Sequence, residues 1–344
     1  MNSDQVVNGI NSSNNKISRR QALWWLTLLL FLVLGFSFFL GRYPSPGFIK
    51  IERLMNDSLA QSLVFNLRLP RLLTAALLGM ALSAAGVIFQ MIFGNPLVEP
   101  GFLGVSQGAS FGAALSIIFF TQSAWAVQTS AAIFAFLGLG FSYFLARRVH
   151  YGGWVLRLIL AGIAVSALFS AGLGVLKYTA DPLSQLQEIT FWLLGGLWGL
   201  TWPKFLSILP AVFIGLFIAY RMRWRLNLLS LNDETAFSLG AAPGRERTLV
   251  LVAAVIATSA VISVAGMVSW VGLIIPHISR RLFGADARFV LPGSMLIGAA
   301  FTILCDDLAR VLFAGEIPLG ILTSLIGAAI FMGLMIQKRV LVQR

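Results

Sequence analysis

The sequence is poor in charge, cysteine, histidine and lysine, and each shortage removes a class of protein. Asp, Glu, Lys and Arg make up 11% of its 344 residues, under half of the roughly 25% in an ordinary soluble domain. A chain of this composition has too little polar surface to enclose a water-soluble core. Its single cysteine, Cys305, lies in an apolar run and has no intrachain partner, which excludes a disulfide scaffold. The two histidines, His150 and His277, are far apart, and no HExxH or Cys/His spacing occurs, so no metal site is expected. None of the five lysines follows a glycine, so there is no phosphate-binding loop of the GxxxxGK type. Strand-type alternation is absent from the long runs, which argues against a membrane barrel. No catalytic residue or cofactor is nominated, and the expectation is a protein that is not an enzyme.

What remains is apolar: 58% of residues belong to the AVILMFWYC set. Residues Met1–Ser18 are polar and rich in Asn and Ser, and are expected to form a disordered cytoplasmic tail ahead of a single transmembrane domain over 19–344. The apolar run Ala22–Leu40 has the length of the ~20 residues a helix needs to cross hydrocarbon, and it lacks the short core and cleavage site of a signal peptide. Gly41–Leu67 is too polar for lipid, with Ile49–Leu63 as a short interfacial helix. Further apolar runs follow at about 70–93, 103–121, 125–146, 156–177, 204–220, 248–275, 289–313 and 319–336. A weaker run at about 184–201 carries Gln187 and Glu188 and suits an interfacial or partly buried helix.

Net charge is +12, yet the basic residues do not form a nucleic-acid surface. Seventeen of the 25 fall in five clusters between apolar runs: Lys16/Arg19/Arg20, Arg147/Arg148/Arg157, Arg221/Arg223/Arg225 with Arg245/Arg247, Arg280/Arg281/Arg288, and Lys338/Arg339/Arg344. By the positive-inside rule both termini are then cytoplasmic, and loops 41–67, 178–203 and 314–318 lie outside. One run strains this scheme. Within 248–275 the chain must leave and regain the basic side, and two full spans need ~40 residues. One leg must be short, with Gly266, Gly272 and Pro276 as breakers. The count is about ten crossings, one of them short, in an all-α polytopic bundle.

Small residues recur at spacing four in Gly104/Gly108/Gly112, Gly162/Ser166/Ser170/Gly174 and Gly320/Ser324/Ala328, which suits closely approaching helices. Asp306 and Asp307 are the only carboxylate pair inside an apolar run. Intramembrane carboxylates are candidates for function; pairing of Asp306 with Arg310 at i+4 is the structural alternative and the preferred one. A proton-coupled carrier would need more buried ionisable groups than this chain offers.

The most informative stretch is Arg68–Gly112, RLPRLLTAALLGMALSAAGVIFQMIFGNPLVEPGFLGVSQGASFG. Two arginines flank a proline at the outer edge of a span, which runs to Gln90, breaks at Asn95-Pro96 and re-enters at Gly104 after a Gly/Pro-rich elbow. This stretch resembles the FecCD-type permeases, ABC importer subunits for iron–siderophore complexes, haem and vitamin B12. The resemblance extends through FWLLGGLWGLTW (191–202), SLGAAPGRER (238–247), VAGMVSWVGLIIPHISRRLFGADARFVLP (264–292) and DDLARVLFAGEIPLGILTSLIGAAIF (306–331), and so covers nearly the whole chain. It departs in the spacing between Arg310 and Glu316, one residue shorter than in several members.

The resemblance implies a two-fold homodimeric permease in the bacterial inner membrane. An ATP-binding subunit, in two copies, would sit on its cytoplasmic face, and a periplasmic or extracellular substrate-binding protein on the other. Membrane lipid surrounds such an assembly, and no nucleic acid is involved. Arg68, Arg71 and Arg310 match arginines that receive acidic residues of the binding protein. Arg68 and Arg71 break the positive-inside rule, and an uncompensated outer arginine suits a partner carboxylate; snorkelling to lipid phosphate is the alternative. Asn95 and Leu97 match the cytoplasmic gate, where an apolar side chain near the dimer axis would exclude water; a plain helix-breaking turn is the alternative. Tyr151–Leu156 falls at the second gate element but offers no residue to carry over. Ser238, Leu239, Gly240 and Ala241, within 227–244, match the segment that docks on the ATPase. Ser166, Ser170 and the face around Gly79–Gln90, Gln90 included, are the candidate translocation path. The cargo expected from the resemblance is a ferric siderophore, with haem, cobalamin and molybdate or tungstate as alternatives.

Overall fold

The structure, a computed structural model, describes residues 18–43, 45–120, 123–312 and 315–337. The tail at 1–17 and the cluster Lys338/Arg339/Arg344 lie outside the described residues.

Helix α1 (Arg19–Phe39) starts at a reciprocal cap, in which the Gln21 amide donates to the Ser18 hydroxyl and the Ser18 amide to the Gln21 side chain. It ends in a two-rung hairpin, β1 (Leu40–Gly41) against β2 (Gly47–Phe48), which hydropathy does not predict. The expected interfacial helix is split in two, α2 (Ile51–Asn56) and α3 (Ser58–Ser62), because Asp57 caps the second by accepting from the Leu59 and Ala60 amides. A π-helical turn (Leu63–Arg68) then runs into α4 (Leu69–Ile92).

After α4 the chain makes the expected elbow. Gly94 has φ +60°, Pro100–Leu103 is a 3₁₀ turn, and Gly104, at φ +76°, opens α5 (Val105–Phe119). Helices α6 (Ala124–Arg148) and α7 (Trp154–Thr179) follow, then a ten-residue α8 (Gln185–Leu194). The remainder is α9 (Trp202–Leu229), α10 (Asp233–Ser238), α11 (Pro243–Ala265), α12 (Val271–Phe283), α13 (Ala287–Val311) and α14 (Leu319–Gln337).

Eight helices among the described residues are long and apolar enough to cross a membrane. With α5 and α12 they make the ten segments expected. Two of the ten are short rather than one: α5 has 15 residues, since the elbow takes up the start of its apolar run, and α12 has 13. The run 248–275 divides as a full α11 and a short α12, but not at all three expected breakers. The break is Gly266–Trp270, with Gly266 at φ +66° and Trp270 at φ +73°. Gly272 and Pro276 lie inside α12. Pro276 cannot donate to the Gly272 carbonyl four residues back, and that carbonyl accepts instead from the Gln90 side chain at 3.3 Å.

The bundle is organised around α4, which is 78% buried over its most apolar stretch against 22% for α14. Backbones meet where side chains are missing. Gly79 of α4 lies against the Gly298 carbonyl of α13, and Gly298 against that of Gly79. Gly86 lies against Gly272 of α12. The Thr302 hydroxyl also donates to the Ala75 carbonyl across the first of these crossings, at 2.7 Å. The stripe Gly104/Gly108/Gly112 does what its spacing suggested: Gly108 and Gly112 abut the Phe134 and Ser130 carbonyls of α6, and Gly138 of α6 abuts Gly104.

The segment after α8 turns inward. The Gly196 amide donates to the Ala265 carbonyl at 2.7 Å, and Leu197 and Leu200 are buried. This stretch of backbone satisfies a carbonyl at the end of α11, as a break at membrane depth requires.

Candidate functional site

The two ends of the bundle carry different chemistry. At the upper end, segments 41–43, 63–71 and 197–200 and Glu316 surround a cavity of about 340 Å³ together with Arg310. These are the loops expected on one side of the membrane, and the Trp202 indole, bonded to the Phe65 carbonyl at 3.0 Å, fastens two of them.

The cavity contains all three arginines expected to dock a partner, and the structure corrects how one of them is held. Arg71 is not uncompensated. Its Nε and Nη2 donate to Asp306 at 2.8–3.1 Å, and its Nη1 donates to both oxygens of Glu316 at 2.9 and 2.8 Å. Arg310 forms the ion pair with Asp306 that the i+4 spacing suggested, at 3.1 Å, and a second with Asp307, which also accepts from the Ser37 hydroxyl. Arg68 pairs with no carboxylate among the described residues; it is 9% exposed and donates to the Phe38 carbonyl at 2.9 Å. Sequence does not single out Glu316, because its partner lies 245 positions away. At the rim, the Tyr43 hydroxyl donates to Asp57 at 2.8 Å and holds that carboxyl below the usual range.

At the lower end, Asn232 caps α10 and Gly240, at φ +81°, ends it, so Ser238, Leu239 and Gly240 are displayed on a tight exposed turn while Ala241 is buried. Phe237 and Leu239 are exposed, at 73% and 57%. Arg247, which in sequence is only a topology charge, is the fastener beneath this turn. It donates to the Leu229 and Leu231 carbonyls at 2.9–3.2 Å and pairs with Asp233. Asp286 binds Arg288 at 2.6 Å and Asn227 at 2.9 Å, joining the end of α9 to the start of α13. The Arg288 guanidinium, with the Arg288 amide and Asn227, lowers the Asp286 pKa to about 2.

Between the ends, a cavity of about 330 Å³ is lined by Glu99, Ser106, Gln107, Ser166, Met267 and Ser269 among others. Of the path candidates on α7, Ser166 lines it, and Ser170 is exposed in the single chain. Gln90 lines neither this cavity nor the upper one. It is 4% exposed, donates to the Gly272 and Leu273 carbonyls at 3.3 and 3.2 Å and accepts from Arg280. Most of the face Gly79–Gln90 is likewise covered, because its small residues let α12 and α13 close over it. Asn95 and Leu97 lie exposed in the elbow, the Asn95 side chain accepting from the Leu97 amide at 2.9 Å.

Comparison with known proteins identifies this arrangement. A profile of the FecCD transport family matches residues 27–337. The chain is 39% identical over 323 residues to the molybdate import system permease protein MolB of Haemophilus influenzae, covering 92% of this chain and 95% of that one. It is 38% identical over 295 residues to a protein of Helicobacter pylori named as a probable iron chelatin transport system permease, covering 85% and 88%. A solved structure described as an inward-facing conformation of a metal-chelate type ABC transporter superposes with a TM-score of 0.85 at 39% identity, covering 93% of this chain and 99% of that one.

Proposed function

The chain belongs to the FecCD transport family, and from that premise we propose that it carries a metal chelate inward across the bacterial cytoplasmic membrane as one half of a homodimeric permease. It is a multi-pass membrane protein of the ABC importer permease type. The observation that carries the reading is the family match over residues 27–337, which includes both chemically distinct ends.

The upper cavity, with Arg68, Arg71 and Arg310, receives acidic residues of a substrate-binding protein. The exposed turn Ser238–Gly240, closed by the buried Ala241 and with Phe237 beside it, docks on an ATP-binding subunit, one for each permease copy. Energy comes from ATP hydrolysed in those subunits; the permease lowers no covalent barrier and offers two differently open states for them to bias. Asn95 and Leu97 close the lower end of the path near the dimer axis, and Ser166 faces it from α7. Both termini are cytoplasmic.

The first cargo reading is a ferric siderophore, in keeping with the iron chelatin relative. The 39% identity to a molybdate permease favours a second reading, a metal oxyanion. Uptake into proteoliposomes holding the permease, its ATPase and the cargo-loaded binding protein tests the assignment. Transport that needs ATP supports it, and accumulation by the permease alone under an ion gradient refutes it. Calorimetry of ferric siderophore and of molybdate on the binding protein decides between the cargoes.

A further inference from the structure

The acids of the upper cavity are of two kinds. Asp306 and Asp307 have side chains 0% and 5% exposed, lie on α13, and are each held by at least two donors. They neutralise arginines that are themselves buried, so they are fixed parts of the bundle. Glu316 differs. Its side chain is 36% exposed, it stands in the turn before α14, and among the described residues its partner is Arg71 Nη1 alone. The turn does not depend on that contact, for the Ile317 amide ties it to the Ala309 carbonyl at 3.2 Å.

Arg71 is thereby divided. Nε and Nη2 are committed to buried Asp306, while Nη1 meets the cavity and holds an acid that water already reaches. A carboxylate entering from the cavity mouth would find the outward edge of Arg71 occupied. We propose that Glu316 is an internal stand-in for the acid of the docking partner. It occupies Arg71 in the undocked permease and is displaced when the binding protein inserts its own carboxylate. Asp306 keeps the guanidinium aimed during the exchange, so the incoming acid meets a preset donor. Trading one half-hydrated carboxylate for another costs little in either direction. Docking is then weaker than a free arginine would make it, and release after each cycle correspondingly easier. The inference rests on the docking reading above.

The test is the affinity of the cargo-loaded binding protein for the permease–ATPase complex in nanodiscs, measured for wild type, Glu316→Gln, Arg71→Gln and the double variant. Glu316→Gln should lower Kd by about two- to fivefold, the range of an exposed ion pair. In the Arg71→Gln background the same change should have no effect, because coupling between the two sites is the signature of exchange. Unchanged or weaker binding by Glu316→Gln, with Arg71→Gln weakened, overturns the stand-in and leaves docking intact. Equal tightening in both backgrounds also overturns it, since Glu316 would then act only through the general field. Arg71→Gln without effect on Kd refutes the docking reading itself. Glu316→Asp, which keeps the charge, serves as the folding control and should bind like wild type.

Discussion

Asp286 shows how much one side chain does at a helix end. It caps α13, salt-bridges Arg288 and accepts from Asn227 of α9. Its pKa is about 2 in the fold against 3.8 for a free aspartate side chain. A carboxyl depressed by folding stabilises fully above its unfolded pKa, and that contribution fades as pH falls through the folded value. Asp286→Ala should therefore lower the melting temperature of the detergent-solubilised protein at pH 7 by the equivalent of about 1 kcal/mol, as for a lost cap. The deficit should shrink between about pH 4 and pH 2, the interval bounded by the unfolded and folded values. A pH-independent deficit would show that the cap's charge contributes nothing.

Among the elements, α10 has the clearest assignment to test. Its six residues lead into a turn that exposes Phe237 and Leu239 and is fastened from below by Arg247. Leu239→Asp and Phe237→Asp should leave stability within about 0.5 kcal/mol of wild type, as for exposed positions. ATP-driven uptake should fall at least tenfold through loss of ATPase binding, read by co-purification; retained association with full uptake would remove the turn from the coupling surface. This element is legible in outline, because polar residues and a small-residue run interrupt apolar stretches. Arg247 is not, since nothing local distinguishes a buried fastener from a topology charge. The break before α12 falls within a few residues of its expected place, but Trp270 takes a left-handed position where sequence offers glycines. The hairpin at Leu40–Phe48 escapes a sequence reading because two residues per strand give no alternation.

For the whole molecule, segments that the charge pattern groups on one side share one end of the bundle: residues from four distant segments meet at the upper cavity. Sequence assigns the ends, but it cannot pair Arg71 with Asp306 and Glu316, which depends on how α4 and α13 cross. On α4 the small residues Gly79 and Gly86 pack against α13 and α12, contacts that spacing along the chain does not reveal. The proposed dimer is checked by the mass of the detergent-free particle in nanodiscs, expected to hold two permease chains, and a single chain per active particle would refute it.

The glycine-to-carbonyl crossings of α4 with α12 and α13 also limit where this protein can give way. Surfaces interlocked at backbone distance neither slide nor roll without collision, so those helices act as a keel. Helix α1, mostly uncovered within the single chain and with no such crossing at its glycine, is the plank left free to shift. A drug or antibody fragment meant to stall the cycle would do best to wedge against it.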